Sequence, residues 1–244
     1  MATKISSDAS ISLYQQVMVE LKKEIEIGTY EPGSQIPTEA ELTRIYSVGR
    51  VTVRRAVDEL VCQGYLTKQQ GRGTFVNAGK MTRKVHQKDD IQSFSCVCRA
   101  NGMKAGGRLI SRKVISADNE LANLLSTAKG DELVLVERVR TADGIPVMLE
   151  NDYFIRSEFS FLEREKLNGA SIFELVSDRT GRTPQGSDPC TLEVVRANAE
   201  VAKHLSIPAG EPMFFMNVRF LDAKGLPLFV GHQYIVGSRY IFDI

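Results

Sequence analysis

Two groups of side chains in this 244-residue chain have types and spacing that could do chemistry. In the first, Arg50, Thr52, Arg54 and Arg55 fall within one short run, and Arg72 follows between Gly71 and Gly73. From Arg44 to Lys88 the cations Arg44, Arg50, Arg54, Arg55, Lys68, Arg72, Lys80, Arg83, Lys84 and Lys88 face only two acids, Asp58 and Glu59. A polyanion would feel that block even though the formal net charge of the whole chain is +1, because local charge density governs binding to phosphates. Arginine can fork onto phosphate or onto O6 and N7 of guanine. In the second group, Arg138 and Arg140 stand two apart on a run that reads as a strand, so they point to one face. Two such cations repel unless an anion lies between them. Glu150, on the next strand, could be their internal counterion or could share a polar ligand with them, and the spacing leaves both open. Ser93 and Ser95, flanking Phe94, add hydroxyls that can hydrogen-bond a carboxylate or phosphate.

Other chemistries lack their residues. Cys62, Cys96, Cys98 and Cys190 include no CxxC, and His86, His204 and His232 lie far from them, so neither a zinc site nor a disulfide framework is expected. There is no GxSxG, HExxH or P-loop pattern, and no catalytic residue, metal or cofactor is assigned. No apolar run approaches the ~18 residues of a membrane span and the N-terminus lacks a signal-peptide core, so a cytoplasmic protein without a membrane partner is expected.

The elements that must position the first group follow from periodicity. Val53, Ala56, Val57, Leu60 and Val61 recur at helical spacing and define a buried face, with Arg50, Thr52, Arg54 and Arg55 off it. A short helix precedes, with Ala40, Leu42 and Ile45 directed inward, joined by the tight Tyr46-Ser47-Val48-Gly49 connection. Thr38 and Glu41 read as a capping box for it, so Thr38 and Glu39 have a structural role to set against any contact with DNA. Tyr65 to Gln70 and Thr74 to Val76 flank Gly71-Arg72-Gly73 as a hairpin, and Leu13 to Ile27 supplies a first helix with Tyr14, Val17, Met18, Leu21 and Ile25 on one side. The sum is a winged helix-turn-helix over residues 1–76.

Residues 77–90 show little hydrophobic periodicity and many charges, and are read as a linker. From 91 to 244 short strands and helices alternate: helices over Asp90–Asn101, Asp118–Leu125, Ser171–Arg179 and Ala199–Leu205, strands over Arg108–Ile115, Glu132–Thr141, Ile145–Phe154, Asp188–Arg196, Pro212–Leu221 and Leu226–Val236, and a last one near Tyr240. The hairpins VERVRTADGIPVMLENDYF and FMNVRFLDAKGLPLFVGHQYI echo each other and suggest an internally repeated sheet. The fold class is α+β, with a mostly antiparallel C-terminal sheet.

Pro37-Thr38-Glu39, Arg50-Val51-Thr52-Val53-Arg54-Arg55-Ala56 and Gly71-Arg72-Gly73-Thr74-Phe75-Val76 together resemble, in order, the DNA-binding pattern of the GntR family of bacterial transcription regulators. Ala40 stands where many members carry an Arg, and Gly49 replaces the usual Ser before the recognition helix. The resemblance implies that Thr38, Glu39, Arg44, Arg50, Thr52, Arg54, Arg55, Gly71, Arg72 and Gly73 form the DNA-binding surface. From about Ser93 onward the chain resembles the effector-binding (UTRA) domain of the HutC branch, whose fold is similar to that of chorismate lyase. Ser93-Phe94-Ser95, Arg138 with Arg140, Gly144-Ile145-Pro146 with Glu150, Ser171 and Tyr234 match its looser motifs, and the resemblance implies that Ser93, Phe94, Ser95, Arg138, Arg140, Glu150, Ser171 and Tyr234 line an effector site. Cys96 and Phe229 stand where many members have an acid. A homodimeric transcription regulator follows, in this family most often a repressor, with a double-stranded DNA operator of inverted-repeat form and a small anionic metabolite as partners. The rivals are an enzyme on the lyase-like domain and a structural DNA binder without an effector.

Overall fold

The structure is a computed structural model that describes residues 11–69, 71–77, 80–84 and 91–243. The start of the chain lies outside the described residues, as do Gln70, His86 and Lys88. The chain divides into two compact units, Met1–Gly79 and Lys80–Ile244.

The first unit is built on three helices, α1 (Leu13–Glu26), α2 (Glu39–Tyr46) and α3 (Arg50–Cys62), followed by strands β1 (Leu66–Gln69) and β2 (Gly73–Val76). Val17 and Leu21 of α1, Leu42 and Tyr46 of α2, and Val53, Val57 and Leu60 of α3 form its core together with Leu66 and Val76. Ile45, read as inward-facing, is exposed; Tyr46 takes the inward place and its hydroxyl donates to Glu24 Oε2 at 2.9 Å. The α2 start follows the capping logic: Glu41 N–H donates to Thr38 Oγ1 at 3.3 Å, and Thr38 N–H donates back to Glu41 Oε2 at 2.8 Å. β1 and β2 pair antiparallel from Leu66 with Val76 to Gln69 with Gly73. Gly73 has φ +123°, and a Cβ there would lie 2.2 Å from Gln35 Nε2, so the wing needs glycine at its return.

The second unit opens with β3 (Met81–Lys84), in a stretch where the sequence shows no strand periodicity. It continues through α4 (Phe94–Ala100), β4 (Ala105–Ser116), α5 (Asn119–Leu125), β5 (Glu132–Ala142), β6 (Ile145–Ile155), α6 (Arg156–Phe159), a 3-10 turn at Ser160–Glu163, α7 (Ile172–Thr180), β7 (Gly186–Arg196), α8 (Ala199–Leu205), β8 (Pro212–Leu221), β9 (Pro227–Val236), a 3-10 turn at Gly237–Arg239 and β10 (Tyr240–Asp243). Six strands form one antiparallel sheet in the order β4-β5-β6-β9-β8-β7. The first half, β4-α5-β5-β6, is thus repeated by β7-α8-β8-β9, and the halves meet where β6 pairs β9, with Glu150 opposite Gln233. Asp118 and Asn198 cap the equivalent helices through Leu121 N–H and Val201 N–H.

Alternation along the strands assigns the two sheet faces. On one face α4 and α7 bury Val97, Cys98, Ile172 and Val176 against Val134, Val136, Phe154, Phe220 and Phe229. On the other, α5 and α8 cover Val139, Leu149, Met213, Val230 and Val236. β3 pairs in parallel with β10, Met81 opposite Tyr240 and Arg83 opposite Phe242.

Candidate nucleic-acid interface and effector cleft

In the first unit, the buried spine of α3 leaves Arg50, Val51 and Arg54 exposed along its N-terminal half, with Thr52 partly exposed. Val51 is 82% exposed, an apolar side chain beside two guanidinium groups. The sequence reading of DNA contacts passed over it, although the same helical spacing places it off the buried face; a methyl-bearing side chain there suits contact with a thymine methyl. Arg72 is exposed at the hairpin tip, where Gly71 has φ +71°. Arg44 is exposed on α2.

Other residues assigned to this surface serve the unit itself. Arg55 lies 3.9 Å over the Tyr14 ring, a cation–π contact that joins α3 to α1. Glu39 accepts from Lys68 Nζ at 3.2 Å and Asp58 accepts from it at 2.8 Å, tying both helices to the wing strand. Thr38 is the α2 cap. The groups left free to meet a duplex are Arg44, Arg50, Val51, Arg54 and Arg72, four of them cationic.

In the second unit, a cleft opens on the α4 and α7 side of the sheet, lined by Ser93, Phe94 and Ser95 from the start of α4, Ser171 at the start of α7, Arg138, Arg140, Glu150 and Asp152 from the sheet, and Arg83 and Gln233. Arg138 stands directly across from Glu150 in the β5–β6 ladder. Its guanidinium is paired with the Glu150 carboxylate and lies 3.6 Å from Asp152, while Arg140 lies 3.6 Å from the same Glu150 oxygen. Both arginines also donate through Nη1 to the carbonyl of Ala170, each at 2.9 Å, which pins the loop that presents Ser171. The Phe94 ring covers the Arg140 guanidinium at 4.7 Å. Gly107, opposite Arg140 in the ladder, lets the strand backbone pass close: a Cβ there would meet the Val139 carbonyl at 2.7 Å.

Electrostatics here are those of a buried site. Burial lowers Arg140 from its ordinary range, opposed by Glu150. Burial, and then the neighbouring Glu150 charge, push the Asp152 carboxyl well above the usual carboxylate range, against the pull of Arg138 and Arg140. Among the described residues the buried Nε atoms of Arg138 and Arg140 have no hydrogen-bond partner. The serine hydroxyls at the rim already serve as helix caps: Cys96 N–H donates to Ser93 Oγ at 3.2 Å and Glu174 N–H to Ser171 Oγ at 3.4 Å. Counted out to its open mouth, the cleft spans about 430 Å³.

Glu150 is thus the internal counterion shared by both arginines, and it also lines the cleft. Tyr234 does not join them. It lies on the opposite face of the sheet, its ring 4.9 Å from Phe215 and packed with the Val139 and Leu149 cluster. One step along β9 reverses the side-chain direction, so Gln233, across from Glu150, takes the place in the cleft. Asp152 was missed although it stands two residues from Glu150 on the same strand, where alternation alone would have found it.

Comparison with known proteins agrees with this architecture. The profile "Bacterial regulatory proteins, gntR family" matches residues 13–76 and that of the UTRA domain matches residues 100–241. The chain is 30% identical over 238 residues to the HTH-type transcriptional repressor NagR of Bacillus subtilis (strain 168), covering 98% of this chain and 96% of that one. It is 28% identical over 232 residues to the probable fructoselysine utilization operon transcriptional repressor of Escherichia coli (strain K12), covering 95% and 93%. The crystal structure of PhnF from Mycobacterium smegmatis superposes with a TM-score of 0.65 at 26% identity, covering 93% of this chain and 97% of that one. These relatives are transcription regulators, not enzymes. A cationic recognition helix and wing in one unit, an arginine-lined cleft in a six-stranded sheet in the other, and both profiles in that order make this chain a member of the GntR family of bacterial transcription regulators, HutC type, with a DNA-binding unit followed by a UTRA effector-binding domain.

Proposed function

We propose that this regulator acts in the cytoplasm as a homodimeric repressor of an inverted-repeat operator and is released by a small anionic metabolite bound in the Arg138–Arg140 cleft. The observation that carries the reading is the exposed N-terminal half of α3, where Arg50, Val51 and Arg54 stand clear of a fully buried spine. A helix about 10–12 Å wide fits the major groove, and a two-fold dimer presenting two of them asks for half-sites whose centres lie roughly one helical turn apart. Arg72 at the wing tip suits the adjacent minor groove or backbone. Effector control requires unequal affinity for two arrangements of the DNA-binding units, since equal affinity would regulate nothing. The name of the fructoselysine relative speaks of a utilization operon, and a catabolic operon is the corresponding target proposed for this chain.

The test is to incubate the purified protein with fragmented genomic DNA at physiological salt and sequence what is retained. A few sites sharing an inverted repeat are expected, and Arg54→Ala should weaken binding to them by about 1–3 kcal/mol and relax specificity at one base position. Retention that ignores sequence and falls steeply with salt would favour a structural DNA binder. Unchanged operator binding by Arg54→Ala would remove the proposed docking.

A further inference from the structure

Val51 serves neither the core nor the helix it belongs to. It is the most exposed large apolar side chain among the described residues, and a β-branched residue at an exposed helical position adds nothing to helix stability. Its direction follows from the helical period. At about 100° per residue, the buried Val53, Ala56, Val57 and Leu60 fall within about 100° of arc, and Val51 points about 170° from their centre. Arg54 and Arg55 stand about 60° and about 40° to either side of it, with Arg50 and Thr52 about 100° out on opposite flanks. The most outward side chain of the first two turns is therefore the apolar one, and cations flank it.

The two ends of α3 present different surfaces. Further along the exposed stripe come Asp58 and Glu59, which phosphates would repel; Asp58 is bound to Lys68, and Glu59 accepts from Gln63 Nε2 at 3.0 Å. Gly49, immediately before the helix, has no side chain and open space where a Cβ would be. A duplex therefore meets the N-terminal turns, the end that recognition helices present to base edges. A valine side chain has no donor or acceptor and cannot read the hydrogen-bonding pattern of a base pair. The one apolar group that a base pair shows in the major groove is the 5-methyl of thymine.

We infer that Val51 is a specificity-determining residue that packs on the 5-methyl group of a pyrimidine at one fixed position of each half-site. Thymine and 5-methylcytosine carry that methyl; uracil and cytosine do not. The inference rests on the docking of α3 proposed above. It adds a base preference that the arginines beside Val51 do not supply, since their forks favour phosphate and guanine.

The test uses the full chain and an operator duplex recovered from the retained genomic fragments, with each thymine replaced in turn, in both half-sites, by deoxyuridine. The replacement deletes one methyl and leaves the hydrogen-bonding edge as it was. One position should weaken binding by about fourfold for each half-site, the worth of one buried methyl. Val51→Ser should bind the unmodified operator more weakly, lose the penalty at that one position and unfold at the same temperature as the unaltered protein. If Val51→Ser keeps the penalty in full, another side chain touches that methyl and the assignment is overturned. If no position shows a penalty while Arg54→Ala still weakens binding, α3 docks as proposed and the role of Val51 is overturned. If no operator is recovered, or Arg54→Ala binds it unchanged, the docking itself fails and the inference goes with it.

Discussion

Asp152 is an acid buried in the cleft beside a second acid. Among the described residues the only cation within ion-pair reach of it is Arg138 at 3.6 Å, and its carboxyl is held well above its ordinary range by burial and by Glu150. An acid that binds its proton more tightly folded than unfolded contributes most below its unfolded value, near 3.9, and loses that contribution as pH rises through the folded value. Asp152→Asn should therefore gain stability relative to the unaltered protein as pH climbs from about 4 upward, read from urea unfolding at a series of pH values. Glu137 and Asp222, whose carboxyls are lowered by Ser111 and Lys113 and by Arg182 respectively, stabilise in the opposite sense, but both proteins share them and they cancel in the difference. A difference that shrank with rising pH would contradict the assignment. At this scale the sequence was informative where period two could be applied: Arg138, Arg140 and Glu150 were placed on one face correctly. It failed at Tyr234 because family likeness fixes a motif's neighbourhood and not its face, and a shift of one residue on a strand inverts the side chain. It placed Arg83 only in the basic block of residues 44–88, because the pairing with β10 that brings it to the cleft leaves no mark near it in sequence.

At the scale of elements, the helices and long strands were readable because each carries its own pattern. α8 and β8 run over the residues that periodicity and caps assign, and α3 differs from its amphipathic repeat by nothing but its ends. β3 is the contrary case. Its four residues have no alternation to read, and it exists as a strand because β10, more than 150 residues later, lies beside it; a strand made by its partner is invisible locally. The wing hairpin was legible from its glycines, and its geometry gives a prediction. Gly73→Ala combines a positive φ with a Cβ placed against the Gln35 side chain. It should cost the DNA-binding unit about 1–3 kcal/mol in thermal unfolding and lower operator affinity with it. Gly71→Ala, with φ +71° and open space around its Cβ, should cost less.

At the scale of the molecule, the sheet of the second unit is a repeated motif whose halves have diverged in chemistry. The mirrored order about β6 and β9 was suggested by the echo of the two hairpins, and the sheet order agrees with it. The first half contributes Arg138, Arg140, Glu150 and Asp152 to the cleft, whereas β8 and β9 contribute Phe220, Phe229 and Gln233. One half supplies charge and the other supplies walls. Gly231 shows the accommodation: a Cβ there would meet the Phe220 ring at 3.1 Å and Asp152 Oδ1 at 3.3 Å.

The cover over that cleft has a temporal consequence. On the proposed reading of the cleft as the effector site, a metabolite that reaches the Arg140 guanidinium must displace the Phe94 ring over it or part the Ala170–Ser171 loop from its two arginine donors. Arrival is then governed by how often the doorway opens and not by how often a molecule knocks. In stopped-flow mixing the observed rate should level off at high effector concentration, and Phe94→Ala should raise the plateau; a rate that climbs linearly toward the diffusion limit of about 10⁸–10⁹ M⁻¹s⁻¹ would mean the doorway stands open.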